Sequence, residues 1–251
     1  MTLHHEISGP DSAPVLLLGG SLGATTEMWE RQLPLGDAYR LVCFDHRGHG
    51  RSPEPPGPYE IADLAADVLE LMDALGVHRA SYVGVSLGGM VGMWLGSHAP
   101  ERMERLVLVC TAAHMPPASA WQERAAVVRA AGSTEPIADA VVDRWLTPDH
   151  ATADPELRAR LRTMLVASPP HGYVECCGAI ERMDLRPMLS RVAAPTLVIS
   201  GSEDPSTPPE RQREIAAAIP GARYESVGPA AHFAVVEQAE AVNRLIREHL
   251  G

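Results

Sequence analysis

The 251-residue chain reads as an α/β protein, with a mostly parallel central sheet flanked by helices and one helical insertion. Three observations predict this. Short apolar runs alternate with helix-patterned segments, as in a sheet covered on both faces. One of those runs leads through Gly84-Val85-Ser86-Leu87-Gly88 directly into a helical pattern. The alternation lapses over 114–191 and resumes at Pro195. The expected organisation is therefore a core of 1–113 and 192–251, carrying a helical cap insertion at 114–191.

The elements follow in order. Runs at 15–18, 40–44, 80–85, 105–110 and 196–199 are of strand length and bounded by Gly, Pro, Asp or Ser. Their continuous apolar character fits strands buried on both faces. Between the second and third, apolar residues at 61, 64, 65, 68, 71, 72 and 75 form a helical stripe, and Gly76 supplies its stop. Within the insertion, helical patterning recurs near 121–131, 136–146 and 155–166. No internal repeat or low-complexity tract interrupts the chain.

Composition excludes several classes of function. Lys+Arg 21 against Asp+Glu 32 gives a net charge of −11, which repels nucleic acid and anionic membranes. All 21 cations are arginine. The absence of lysine removes Schiff-base chemistry, the phosphate-binding P-loop and the Ser-x-x-Lys hydrolases. Cys43 and Cys110 lie in apolar runs and read as small buried hydrophobes, and the pair Cys176 and Cys177 has no second pair for a zinc site. With no signal-peptide pattern and no apolar run near 20 residues, a cytoplasmic protein is expected.

The chemistry concentrates in three places. In the strand–Gly84-x-Ser86-x-Gly88–helix context, a tight turn lifts the serine hydroxyl clear of the sheet, and the following helix aims its first amides at it. Such a serine needs a base and an orienting acid, which in elbow-type hydrolases follow in the order nucleophile, acid, histidine. Asp204 follows the 195–201 run, with Glu203 as the competing carboxylate, and His232 precedes the last helix. His249, near the end of a polar helix, reads as a solvated surface residue. The loop Gly19-Gly20-Ser21-Leu22-Gly23 is small enough to present backbone amides, so Leu22 and Leu87 are the expected oxyanion donors. Asp45-His46-Arg47-Gly48-His49 lacks a third ligand at metal spacing and reads as a structural turn held by Asp45 and Arg47.

With these residues the chain resembles an α/β-hydrolase end to end and, within that superfamily, the 3-oxoadipate enol-lactonases of the β-ketoadipate pathway. The resemblance is carried by Gly20-Ser21-Leu22-Gly23 with Glu27-Met28-Trp29, and by Gly84-Val85-Ser86-Leu87-Gly88-Gly89-Met90. It continues through Trp94-Leu95-Gly96, Ala99-Pro100-Glu101-Arg102 and Arg105-Leu106-Val107-Leu108. In the insertion it runs through Arg144-Trp145-Leu146-Thr147-Pro148 and Gly172-Tyr173-Val174-Glu175-Cys176-Cys177, and it ends at Ala230-Ala231-His232. The chain departs from the family at Gly20, where members usually carry Asn.

The resemblance implies Ser86, Asp204 and His232 as catalytic triad, and an acyl-enzyme route needing no metal or organic cofactor. It also implies a small anionic lactone as substrate, whose carboxylate an acidic protein attracts only through a local arginine. Arg144 is the expected partner, with Ser21, Trp121 and Trp145 as further pocket residues. Two rivals share the scaffold: another serine hydrolase (carboxylesterase, other lactonase or carbon–carbon bond hydrolase) and a ligand-binding protein without turnover. Oligomeric state is not legible in the sequence.

Overall fold

A computed structural model describes residues 2–251, and in it the buried apolar runs become strands close to their expected positions. In chain order the first half comprises β1 (His5–Ser8), β2 (Val15–Gly19), β3 (Arg40–Phe44), α1 (Ile61–Ala74), β4 (Ala80–Val85), α2 (Leu87–His98) and β5 (Met103–Val109). Five helices then intervene: α3 (Ala118–Ala131), α4 (Ala138–Trp145), α5 (Pro148–Ala153), α6 (Pro155–Val166) and α7 (Pro170–Arg182). The chain closes with β6 (Thr196–Gly201), α8 (Pro209–Ala218), β7 (Arg223–Val227), α9 (Ala234–Glu237) and α10 (Ala239–Leu250).

The strands form one sheet in the order β1-β3-β2-β4-β5-β6-β7, and β1 alone runs antiparallel. Every residue of β4 and β6 is buried, which is why their sequences are mainly apolar and do not alternate between apolar and charged residues. Each fully buried Val or Leu there contributes about 1.5–3 kcal/mol relative to exposure. Helix α1 buries Ile61, Leu64, Val68, Leu71 and Met72 along its apolar stripe, and Gly76 ends it at φ +66°. The parallel strands leave the sheet at one edge. The loops after β2, β4, β6 and β7 therefore open on the same side, where ligands bind in open α/β sheets.

The structure adds two strands and moves one histidine. β1 and β7 have the burial of edge strands, half-exposed and with charged residues facing out, so neither carries a continuous apolar signal. His249 is buried, not solvated: its Nε2 lies 3.2 Å from the Pro195 carbonyl oxygen, where the end of α10 returns to the sheet. Burial pulls its pKa below the ordinary histidine value. The helical patterning expected at 121–131, 136–146 and 155–166 falls on α3, α4 and α6, while α5 and α7 are additional. Helix α7 buries both Cys176 and Cys177 as packing residues. No helix of the described residues is long and apolar enough to cross a membrane.

Candidate active site

The site starts from backbone strain. Ser86 sits at φ 55°, ψ −111°, a conformation that costs a non-glycine residue about 1–3 kcal/mol and survives only where neighbours over-determine it. Those neighbours are present. The Ser86 amide donates to the Val109 carbonyl at 3.0 Å, Thr111 Oγ1 donates to the Ser86 carbonyl at 2.7 Å, and Tyr82 Oη donates to the Gly88 carbonyl at 2.9 Å. A Cβ on Gly84 would lie 2.3 Å from the Gly88 oxygen, and one on Gly88 would lie 2.0 Å from the Gly19 oxygen. Only glycine permits that approach of β2, β4 and α2. Leu87 is the first residue of α2, so its amide has no intrahelical acceptor.

Asp204 and His232 converge from the loops after β6 and β7. His232 Nδ1 stands 2.8 Å from Asp204 Oδ2, with both side chains buried. That bond puts the proton on Nδ1 and leaves Nε2 as the basic nitrogen. Thr207 Oγ1 donates to the same Oδ2 at 2.7 Å, while the Ser206 and Thr207 amides donate to Oδ1 at 2.8 and 3.0 Å. Burial alone would raise the Asp204 carboxyl, but the His232 imidazole and these hydrogen bonds outweigh it and hold the group below its ordinary range. Glu203 is exposed and bonds elsewhere through its backbone.

The loop after β2 is pinned by two histidines. Gly20 carbonyl oxygen accepts from the Gly88 amide at 2.9 Å and from His46 Nε2 at 3.1 Å. The Gly23 amide donates to His49 Nε2 at 2.9 Å, so His49 carries its proton on Nδ1 and donates it to the Arg47 carbonyl at 3.1 Å. Asp45 accepts from the Thr26 and Arg51 amides, and Arg47 pairs with Asp67 on α1. A Cβ at Gly20 would meet Met28 Sδ at 2.9 Å, so a larger residue there requires the methionine to move.

Both histidines are neutral in the fold. Burial, then the neighbouring His49, pushes His46 down to about 3, and burial lowers His49 as well. The unfolded chain protonates each near 6.5, so their contribution is complete above that pH and is lost as pH falls toward the folded values. Each histidine then removes up to about 1.4 kcal/mol of stability per pH unit. Urea unfolding at pH 7 and pH 5 should show this loss, and His46→Gln should flatten part of the slope. Equal midpoints at both pH values would contradict the neutral assignment.

Ser86 and His232 open on a cavity of about 280 Å³ between the sheet edge and the inserted helices. All four expected pocket residues, Ser21, Trp121, Arg144 and Trp145, line it, as does Leu22. Trp145 stacks on Phe233 with ring centroids 4.2 Å apart. Arg124, Tyr173 and Thr207 line it too and were not anticipated. Arg124 lies three residues after Trp121 on one helix face, with its guanidinium 4.8 Å from that ring centroid, a spacing the sequence does display. Thr207 was also legible in principle, since Asp-Pro-Ser-Thr favours side-chain capture of the following amides. Burial, then repulsion from Arg124, pulls the Arg144 guanidinium below its ordinary range. Arg158, Arg160, Arg162, Arg182 and Arg186 of the inserted segment all hold carboxylates, whereas Arg124 and Arg144 belong to none of those pairs.

A family model for the α/β hydrolase fold matches residues 13–239. The chain belongs to that family. It is 38% identical over 247 residues to 3-oxoadipate enol-lactonase 2 of Acinetobacter baylyi, covering 98% of this chain and 92% of that protein. The crystal structure of the enol-lactonase from Burkholderia xenovorans superposes with a TM-score of 0.96 at 39% identity, over 99% of this chain and 96% of that one. A malate-bound thermophilic esterase from Thermogutta terrifontis superposes at 0.91 with 30% identity, over 99% and 92%. This α/β-hydrolase is thus similar to enzymes whose names mark them as lactone and ester hydrolases.

Proposed function

We propose that this hydrolase opens 3-oxoadipate enol-lactone to 3-oxoadipate through a Ser86–His232–Asp204 triad, in the β-ketoadipate route of aromatic catabolism. The observation that carries the reading is a pair of arginines held by no carboxylate among the described ion pairs: Arg124 and Arg144 line the same cavity as Ser86 and His232. Two half-buried guanidiniums beside each other repel until an anion joins them, so the cavity favours a substrate bearing a carboxylate. Trp121 and Trp145 supply the apolar walls for a small ring. The helical segment 114–191 acts as the cap that closes this pocket over the core.

The proposed reaction runs as acyl transfer through these residues. His232 Nε2 takes the Ser86 proton as Oγ attacks the lactone carbonyl, and Asp204 keeps the imidazole in the tautomer that leaves Nε2 free. The Leu22 and Leu87 amides stabilise the oxyanion. Collapse of the tetrahedral intermediate breaks the ring C–O bond and expels an enolate, which takes a proton to become a ketone. Water activated by His232 then cleaves the acyl-enzyme and releases the diacid.

The substrate class has a direct test. Arg144→Met should lower kcat/KM for the anionic lactone about tenfold to a hundredfold, the range for losing a charged hydrogen bond. Turnover of neutral p-nitrophenyl acetate should change less than about threefold. Equal losses on both substrates would overturn the carboxylate assignment and favour a general carboxylesterase.

A further inference from the structure

The Glu237 side chain joins two parts of the site. Its Oε1 accepts from the Thr147 amide at 2.8 Å and from Thr147 Oγ1 at 2.7 Å, and its Oε2 accepts from the Ala231 amide at 2.6 Å. Thr147 caps α5 immediately after the α4 segment that carries Arg144 and Trp145. Ala231 precedes His232. Two backbone bonds run alongside the carboxylate: the His232 amide donates to the Arg144 carbonyl at 3.3 Å, and the Phe233 amide to the Trp145 carbonyl at 2.8 Å. The Trp145–Phe233 stack completes the seam.

We infer that Glu237 is a positioning residue that sets the register between the strip 144–147 and the loop holding His232. The inference rests on the proposed roles of Arg144 and His232. Three donors from two chain segments converge on one carboxylate, and no cation shares it among the described ion pairs. The bracket fixes how far the arginine stands from the basic nitrogen. In a lactone hydrolase that separation selects the distance between a substrate's carboxylate and its reacting carbonyl. Small displacements matter there, since a shift of about 1 Å in a positioned group can lower rates by about a hundredfold.

Glutamine in place of Glu237 must turn its amide nitrogen toward at least one of these donors, so at least one bond is lost. With active sites counted by a serine-directed phosphonate, Glu237→Gln should raise KM for the anionic lactone about tenfold and leave KM for p-nitrophenyl acetate unchanged. In an Arg144→Met background the same substitution should raise the lactone KM by less than about threefold, because the group it positions is gone. Hydrogen exchange should quicken in peptides covering 144–148 and 230–233 and remain unchanged in β4 and β5. An equal KM increase with and without Arg144, or unchanged exchange at both segments, would overturn the inference. Accelerated exchange in a protein that does not turn over the lactone would retain the bracket and sink the substrate reading instead.

Discussion

Ser86→Ala is expected to lower kcat/KM on every ester or lactone this hydrolase accepts by on the order of 10⁴-fold to 10⁶-fold. The size reflects the proposed triad acting as a unit: on that reading, without Oγ no acyl-enzyme forms, and His232 and Asp204 have nothing to activate. The fold should survive, because the bonds that hold the elbow go to backbone atoms of Ser86 and Gly88 and not to the Ser86 hydroxyl. Thermal unfolding of the variant should match the wild type within about 1 kcal/mol. A variant that keeps more than about a hundredth of the activity would show that another nucleophile does the work.

Gly88→Ala is expected to have the largest effect on stability of any single methyl addition near the site. The new Cβ would lie 2.0 Å from the Gly19 carbonyl oxygen and 3.0 Å from that of Gly20, both backbone atoms with little room to retreat. Relief requires α2 to separate from β2, which breaks the 2.9 Å bond from the Gly88 amide to the Gly20 carbonyl. That combination of overpacking and a lost buried bond should destabilise the protein by about 3 kcal/mol or more, and abolish activity with it. Gly76→Ala is the control. Its φ of +66° is left-handed but nothing lies within 4 Å, so the strain alone should cost about 1 kcal/mol. Similar melting shifts for the two variants would refute the crowding argument.

How much of this was legible in the sequence depends on where burial is symmetric. Strands β2 to β6 are covered on both faces, and their apolar runs announced them. β1 and β7 lie at the sheet edges with mixed residues such as Arg223 and Glu225, so their pairing is set by their neighbours and not by their own pattern. Helix α7 hid behind Gly172 and Gly178, which lower helical propensity but let the helix pack closely: a Cβ at Gly172 would meet the Gly48 backbone at 2.3 Å. The charge pattern of α10 describes the helix but not the burial of His249, because the last turn is drawn back to Pro195.

The site divides the same way. Ser86, Asp204 and His232 are legible from chain order and strand ends, since an elbow and two loop positions are local features. Arg144 and Trp145 could be named from the resemblance. Contacts between segments distant in sequence could not: His46 on the Gly20 carbonyl, Arg124 beside Arg144, and Glu237 reaching Thr147 across 90 residues all require the tertiary fold. The Gly20 departure from the family pattern also gains a physical context, because Met28 fills the space a side chain would need.

The most direct measurement of the central claim is wild-type turnover of freshly generated 3-oxoadipate enol-lactone beside p-nitrophenyl acetate, followed by ring loss in the ultraviolet. The proposed triad and the neighbouring Arg124 and Arg144 predict a lactone kcat/KM at least about a hundredfold above that of the neutral ester, as charged hydrogen bonds to a substrate carboxylate allow. Ester turnover without lactone turnover would contradict the assignment, leaving a serine hydrolase whose arginines serve a different anion.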